Sequence, residues 1–171
     1  MKGKGSTMTR IYTAAHIPRS IETVFDYITT PGNWPQWHPS SQAVSGATDH
    51  SLAVGEQVIE EYLVAGRQGR VVWTVSERTF PSRWVIEGEI ENGGGSGGVI
   101  AYILTPQNDG TFFEREFVYK MPNLLFALLD SLVIRRRIAA ESTQALEQLK
   151  AVLTRDEVRK VTQNSGEQIH E

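Results

Sequence analysis

NLLFALLDSLVIRRRIAAESTQALEQLKAVLT, residues 123–154, reads as one helix, and the fold turns on what that helix needs. Leu125, Leu128, Leu132, Ala139, Leu146, Leu149 and Leu153 recur at steps of three, four or seven, which places them on one stripe of a 3.6-residue helix. Pro122 just before it suits a helix start, because proline's missing N–H costs little there. At ~1.5 Å per residue the helix spans roughly 45–50 Å, far beyond the usual length of about 11–12 residues. A helix that long needs a broad partner, and the residues before it read as strands.

Residues 9–17 form the first, with Ile11, Thr13, Ala15 and Ile17 on one side. Pro18 and Ser20 then open a short helix with Ser20 as N-cap, although Thr23 is too short to complete a capping box. Ile21, Val24, Phe25 and Ile28 form its apolar face, and Thr30-Pro31-Gly32-Asn33 stops it. A compact aromatic segment, Trp34-Pro35-Gln36-Trp37-His38-Pro39, follows.

Beyond Ser40 the period changes to two. Residues 42–46, 56–64, 67–79, 83–89, 99–106 and 111–120 read as strands, most clearly in Val71/Trp73/Val75 and Phe113/Arg115/Phe117/Tyr119. Short links such as Ala65-Gly66 and Asn108-Asp109-Gly110 imply an antiparallel meander, since parallel neighbours need crossovers. The glycine-rich run at residues 92–98 is followed by neither lysine nor helix, so it reads as a hairpin tip rather than a phosphate loop. A one-sided antiparallel sheet must cover its apolar face, and only the final helix is long enough to do so. The expected class is α+β: seven antiparallel strands wrapped on a long C-terminal helix, with two short helices after the first strand. Residues 9–154 form the single domain, between a flexible start (residues 1–8) and a polar tail (residues 155–171).

Composition narrows the function. A chain of 171 residues buries a real core, and a formal net charge of −3 gives no reason to expect nucleic acid. There is no cysteine, which excludes disulfides, thiol chemistry and thiolate metal sites. The start lacks the apolar core of a signal peptide. The apolar run 124–134 is broken by Asp130 and too short to span a bilayer. A cytoplasmic protein is expected, as a monomer or a homodimer.

Three groups of residues carry a family resemblance. They are Ile21-Glu22-Thr23-Val24-Phe25-Asp26-Tyr27-Ile28 with Trp34-Pro35-Gln36-Trp37; Gly110-Thr111 opening a strand into Phe117-Val118-Tyr119; and Pro122 with the long helix. Over residues 9–154 the chain resembles the START-like, helix-grip (SRPBCC) superfamily, and within it the polyketide cyclase/dehydratase-like members. The resemblance implies a curved sheet gripping the helix around an internal cavity, with the two short helices closing one end.

On the sheet face toward the helix, Glu60 and Tyr62 stand on one strand and Trp73 on the next; the last strand carries Phe113, Arg115, Phe117 and Tyr119. Arg115 in that parity points inward among aromatics, where a cation needs a partner such as Glu60 or Glu77. It would orient a carboxylate or an enolate oxygen. A single bulge would instead put it outside, beside Glu114 and Glu116. Trp34 and Trp37 either line a gate or plug the core. His38 is the histidine near the pocket walls, placed for general acid or base work or simply facing solvent. Tyr102 or Tyr119 would donate a hydrogen bond. The helix is bulky at Leu124 to Leu129, lean at Ala139, Ala140, Ser142 and Thr143, and bulky again at Leu146. Small residues opposite a concave sheet leave space, unless Trp73 and Trp84 fill it.

The expected ligand-binding residues are therefore Trp37, His38, Glu60, Trp73, Trp84, Tyr102, Arg115, Tyr119, Ala139 and Thr143. The catalytic residues are left unassigned. His16, His38, His50 and His170 lack metal-ligand spacing, so neither a metal nor another cofactor is expected. The function these readings imply is binding of a small hydrophobic or aromatic molecule, with or without cyclase/dehydratase-like chemistry. A lipid or quinone carrier or sensor, and a chaperone-associated interaction module, are the alternatives.

Overall fold

A computed structural model describes residues 8–64, 66–91, 95–120, 133 and 135–167. Seven strands form one sheet: β1 (Met8–Ile17), β2 (Ser41–Gly46), β3 (Gln57–Val64), β4 (Arg67–Thr79), β5 (Arg83–Ile90), β6 (Gly95–Gln107) and β7 (Gly110–Lys120). Their order is β1-β7-β6-β5-β4-β3-β2, and every neighbouring pair is antiparallel. Between β1 and β2 lie α1 (Ile21–Thr29), a 3-10 turn (Pro31–Asn33) and α2 (Trp34–Trp37); α3 (Arg135–Glu167) follows the sheet. The expected helix-grip architecture is present. Among the described residues no helix is long and apolar enough to cross a membrane.

Local chemistry explains the short helices. Ser20 caps α1, its Oγ accepting from the Thr23 N–H at 3.4 Å while the two hydroxyls stand 2.9 Å apart. Val24, Phe25 and Ile28 are fully buried on the inner face of α1. The Trp34 indole N–H donates to the Ile28 carbonyl at 2.8 Å, pinning the start of α2 to the end of α1.

Two expectations are revised. The chain past Thr154 reads as a polar tail, yet α3 continues to Glu167; Arg155, Glu157, Arg159 and Lys160 favour helix just beyond the apolar stripe, and no proline follows to stop it. Gly95 to Gly98 belong to β6 rather than to a hairpin tip, with Gly95 opposite Ile90 and Gly98 opposite Gly88. Gly98 has φ +104°, and a Cβ there would lie 2.7 Å from the Phe117 ring, so only glycine pairs at that point. The expected helix start at Pro122, the bulky segment 124–129 and Leu132 lie outside the described residues, as do residues 1–7 and 92–94.

The concave face divides into a solid half and a hollow half. Phe25, Ile28, Leu52, Trp84, Leu104 and Phe113 pack with Leu146, Leu149 and Leu153 of α3, all nearly free of solvent. Toward Ile138 the same face opens into a cavity.

Candidate ligand-binding site

The cavity holds about 280 Å³ between the concave face, α2 and α3. Strand parity builds most of its wall. Glu60 and Tyr62 come from β3, Val71 and Trp73 from β4, Tyr102 from β6, and Arg115, Phe117 and Tyr119 from β7. Trp73 stands opposite Gly88 across β4 and β5, where a Cβ would lie 2.6 Å from the indole. Glycine there lets the ring lie against the sheet.

Of the residues expected from sequence, Trp37, His38, Glu60, Trp73, Tyr102, Arg115 and Tyr119 come together around this space. Three do not. Trp84 is fully buried in the solid half, its Nε1–H donating to the Leu52 carbonyl at 3.2 Å and its ring stacked on Tyr102 at 5.4 Å. It shares the inward face but stands behind Tyr102, which separates it from the cavity. Ala139 and Thr143 also miss the cavity. Ala139 packs toward Ile11 and Tyr119, and Thr143 is exposed, its hydroxyl donating to the Ala139 carbonyl at 3.0 Å. Ile138 and Ser142 line the cavity instead. The reason is angular. Taking Leu146 as zero on a helix of 3.6 residues per turn, Ser142 and Ile138 fall at roughly −40° and −80°, while Ala139 and Thr143 fall at roughly +20° and +60°. A stripe drawn through Ala139 follows the seven-residue step and drifts off the cavity side.

Tyr62 and Phe117 stand at the inward parity read from the sequence and Val64 continues the Glu60–Tyr62 alternation, whereas Ser40, on a connection, carried no periodic signal. Trp34 and Trp37 are core plug and cavity wall at once, at 4% and 0% exposure.

Polar groups converge on the apolar space. Arg115 is 4% exposed, and its Nη1 donates to Ser142 Oγ at 3.3 Å. Its guanidinium carbon lies 5.6 Å from the Phe117 ring centroid, a cation–π distance. The Arg115 Nε–H has no partner. Glu77, one candidate counterion, is instead paired with Arg83 at 2.8 Å on the surface. The other, Glu60, accepts the Trp73 Nε1–H at 2.7 Å. Burial raises the Glu60 pKa above the ordinary carboxylate value, although the Ser41 hydroxyl, the Trp73 N–H and the Arg115 charge pull it down. Burial, and then the Arg115 charge, hold His38 well below the ordinary imidazole value, so its ring is neutral near pH 7. Both His38 ring nitrogens are shielded from solvent and unpartnered. Burial likewise raises the Tyr102 phenol. Ser40 Oγ donates to Glu141 Oε2 at 2.9 Å, tying the connection after α2 to α3 beside Ser142.

Among the described residues no group of three or more His, Asp or Glu side chains is placed to hold a metal ion.

Comparison with known proteins agrees with this geometry. Protein MLL2253 from Mesorhizobium loti superposes with a TM-score of 0.63 at 17% identity, covering 86% of this chain and 98% of its own. A START superfamily protein from Mycobacterium smegmatis gives 0.58 at 13% identity, covering 88% and 99%. DynU16, a protein of the dynemicin biosynthetic locus, gives 0.60 at 12% identity, covering 85% of this chain and 47% of its own. At such identities the likeness is one of fold. No curated protein matches in sequence. The model of one family, described as polyketide cyclase / dehydrase and lipid transport, matches residues 8–154. With a hydrophobic-ligand fold and a match across nearly all of the sheet and the packed part of α3, the chain belongs to the polyketide cyclase/dehydrase and lipid transport family.

Proposed function

We propose that the protein binds one small, largely apolar molecule between the concave sheet face and α3, and serves as its carrier or sensor. The observation that supports this is the hollow half of the sheet. A cavity of about 280 Å³ is walled by Trp37, Trp73, Tyr102 and Phe117, with a few polar groups converging on it. Sites for small molecules have this mixture, and at ~300–1,000 Å³ they begin near this size. The volume suits a compact ring system better than a two-chain lipid.

A second reading, cyclisation or dehydration of a polyketide-like substrate, is favoured by one observation. His38 is neutral, unpartnered and within the field of the Arg115 guanidinium. The neutral imidazole presents a bare nitrogen to a substrate proton, and a buried cation stabilises the enolate that results.

The binding reading is tested with the neutral apolar fluorophore N-phenyl-1-naphthylamine and by native mass spectrometry of the purified protein. Saturable one-to-one binding, weakened by Ile138→Trp, is the expected result. No saturable binding, together with a spectrum that carries no co-purified mass, would overturn it.

A further inference from the structure

The cavity wall contains a buried cation held by a neutral hydroxyl. Arg115 is 4% exposed, its Nη1 is committed to the neutral Ser142 hydroxyl, and its Nε–H has no partner. Among the described residues no carboxylate forms an ion pair with it. Glu60, the carboxylate whose charge reaches it, is engaged by the Trp73 Nε1–H instead, at 2.7 Å. Beside it, His38 contributes a ring with one N–H and one bare nitrogen, both shielded and unpartnered. A buried guanidinium without a contact ion pair is costly, and breaking such pairs is among the more destabilising changes in proteins. Here the guanidinium lines a space large enough for a ligand.

We infer that the ligand is a monoanion whose delocalised oxygen, a carboxylate or an enolate, sits on the Arg115 Nε–H, with its flat apolar body among Trp73, Tyr102 and Phe117. The inference rests on the cavity being a ligand site, and it narrows the class of molecule that the site takes. One guanidinium balances one negative charge, which disfavours a phosphate dianion. The planar fork of arginine matches a two-oxygen group better than a point charge would. The neutral His38 ring adds a donor for the second oxygen, or an acceptor for a neighbouring hydroxyl.

The experiment compares 2-naphthoate with its near-isosteric neutral amide, 2-naphthamide, by quenching of tryptophan fluorescence at pH 7. In the unmodified protein the acid should bind about tenfold or more tightly than the amide, the scale of one charge-assisted hydrogen bond. Arg115→Met should remove that preference, so that acid and amide bind with similar affinity. Arg115→Lys, which keeps the charge, should retain part of the preference and serves if the methionine variant does not fold. Equal affinity of acid and amide in the unmodified protein overturns the anion and leaves the cavity standing. Absence of binding by either probe and by N-phenyl-1-naphthylamine overturns both. A preference for the acid that survives in folded Arg115→Met places the anion elsewhere and overturns the assignment.

Discussion

Arg115 on β7 and Ser142 on α3 meet at 3.3 Å, a buried polar contact between the sheet and the helix it grips. The bond fixes which turn of α3 faces the cavity. It also sets the first expectation. Ser142→Ala leaves the Arg115 Nη1 without its acceptor and should destabilise by about 1–3 kcal/mol, the desolvation cost of an orphaned buried group. Urea denaturation checks this. A midpoint equal to that of the unmodified protein would show that the guanidinium turns to another acceptor.

Leu146 lies one turn further along α3, 3% exposed and within the solid half of the core. Leu146→Ala should destabilise by about 2–5 kcal/mol, the transfer loss plus the cavity left behind. The denaturant midpoint should fall with the slope unchanged. An unaltered midpoint would put Leu146 outside the core.

Gly88 supports the Trp73 ring from across the β4–β5 pair. A methyl there would lie 2.6 Å from the indole, so Gly88→Ala must push Trp73 toward the cavity. Overpacking of this kind costs about 1–3 kcal/mol. A displaced indole should also weaken binding of N-phenyl-1-naphthylamine and shift tryptophan emission. Unchanged emission and unchanged affinity would count against the stated position of the ring.

His38 carries a pH dependence whose sign follows from its environment. Its folded pKa is lowered by burial first and by Arg115 second. The unfolded chain therefore takes up the proton first as pH falls, below the ordinary value of about 6.5. Stability is full above that pH and declines below it, until the folded pKa is reached. Glu60, whose folded pKa is raised, slopes the other way, gaining stability as pH falls from its folded pKa toward the ordinary carboxylate value. His38→Gln should flatten the decline below about pH 6.5 while leaving the Glu60 limb in place. Urea midpoints between pH 5 and 8 read this directly, and an identical decline in both proteins would assign it to another group.

The strands were legible because alternation in the sequence is geometry in the sheet. Phe113, Arg115, Phe117 and Tyr119 differ by two and share one face, so one correct parity located four side chains together. The helix was harder. A stripe with seven-residue steps is compatible with neighbouring faces of α3, and only contacts with β1 and α2 distinguish Ala139 and Thr143 from Ile138 and Ser142. Trp84 shows a different gap. Parity says which side of a sheet a residue takes, but not how far along the strand the packed core ends and the hollow begins. The glycines of β6 were hidden for a third reason: their value lies in what they avoid touching, Val71 and Phe117, and that is a property of neighbours on other strands.

The order of the sheet has a further consequence for how the chain comes into being. β1 is the first strand to leave the ribosome, yet its partner is β7, with Ile17 opposite Thr111. Until β7 has been made, β1 has no hydrogen-bonding neighbour, while β2 to β6 each pair with a neighbour adjacent in sequence. Closing that long loop comes late and is entropically expensive, so nascent chains should spend a measurable interval with an open strand edge. An edge of that kind is where wrong pairings begin. The alternation of polar Arg10 and His16 with apolar Ile11 and Ile17 along β1 gives the waiting strand some protection against pairing with its own copies.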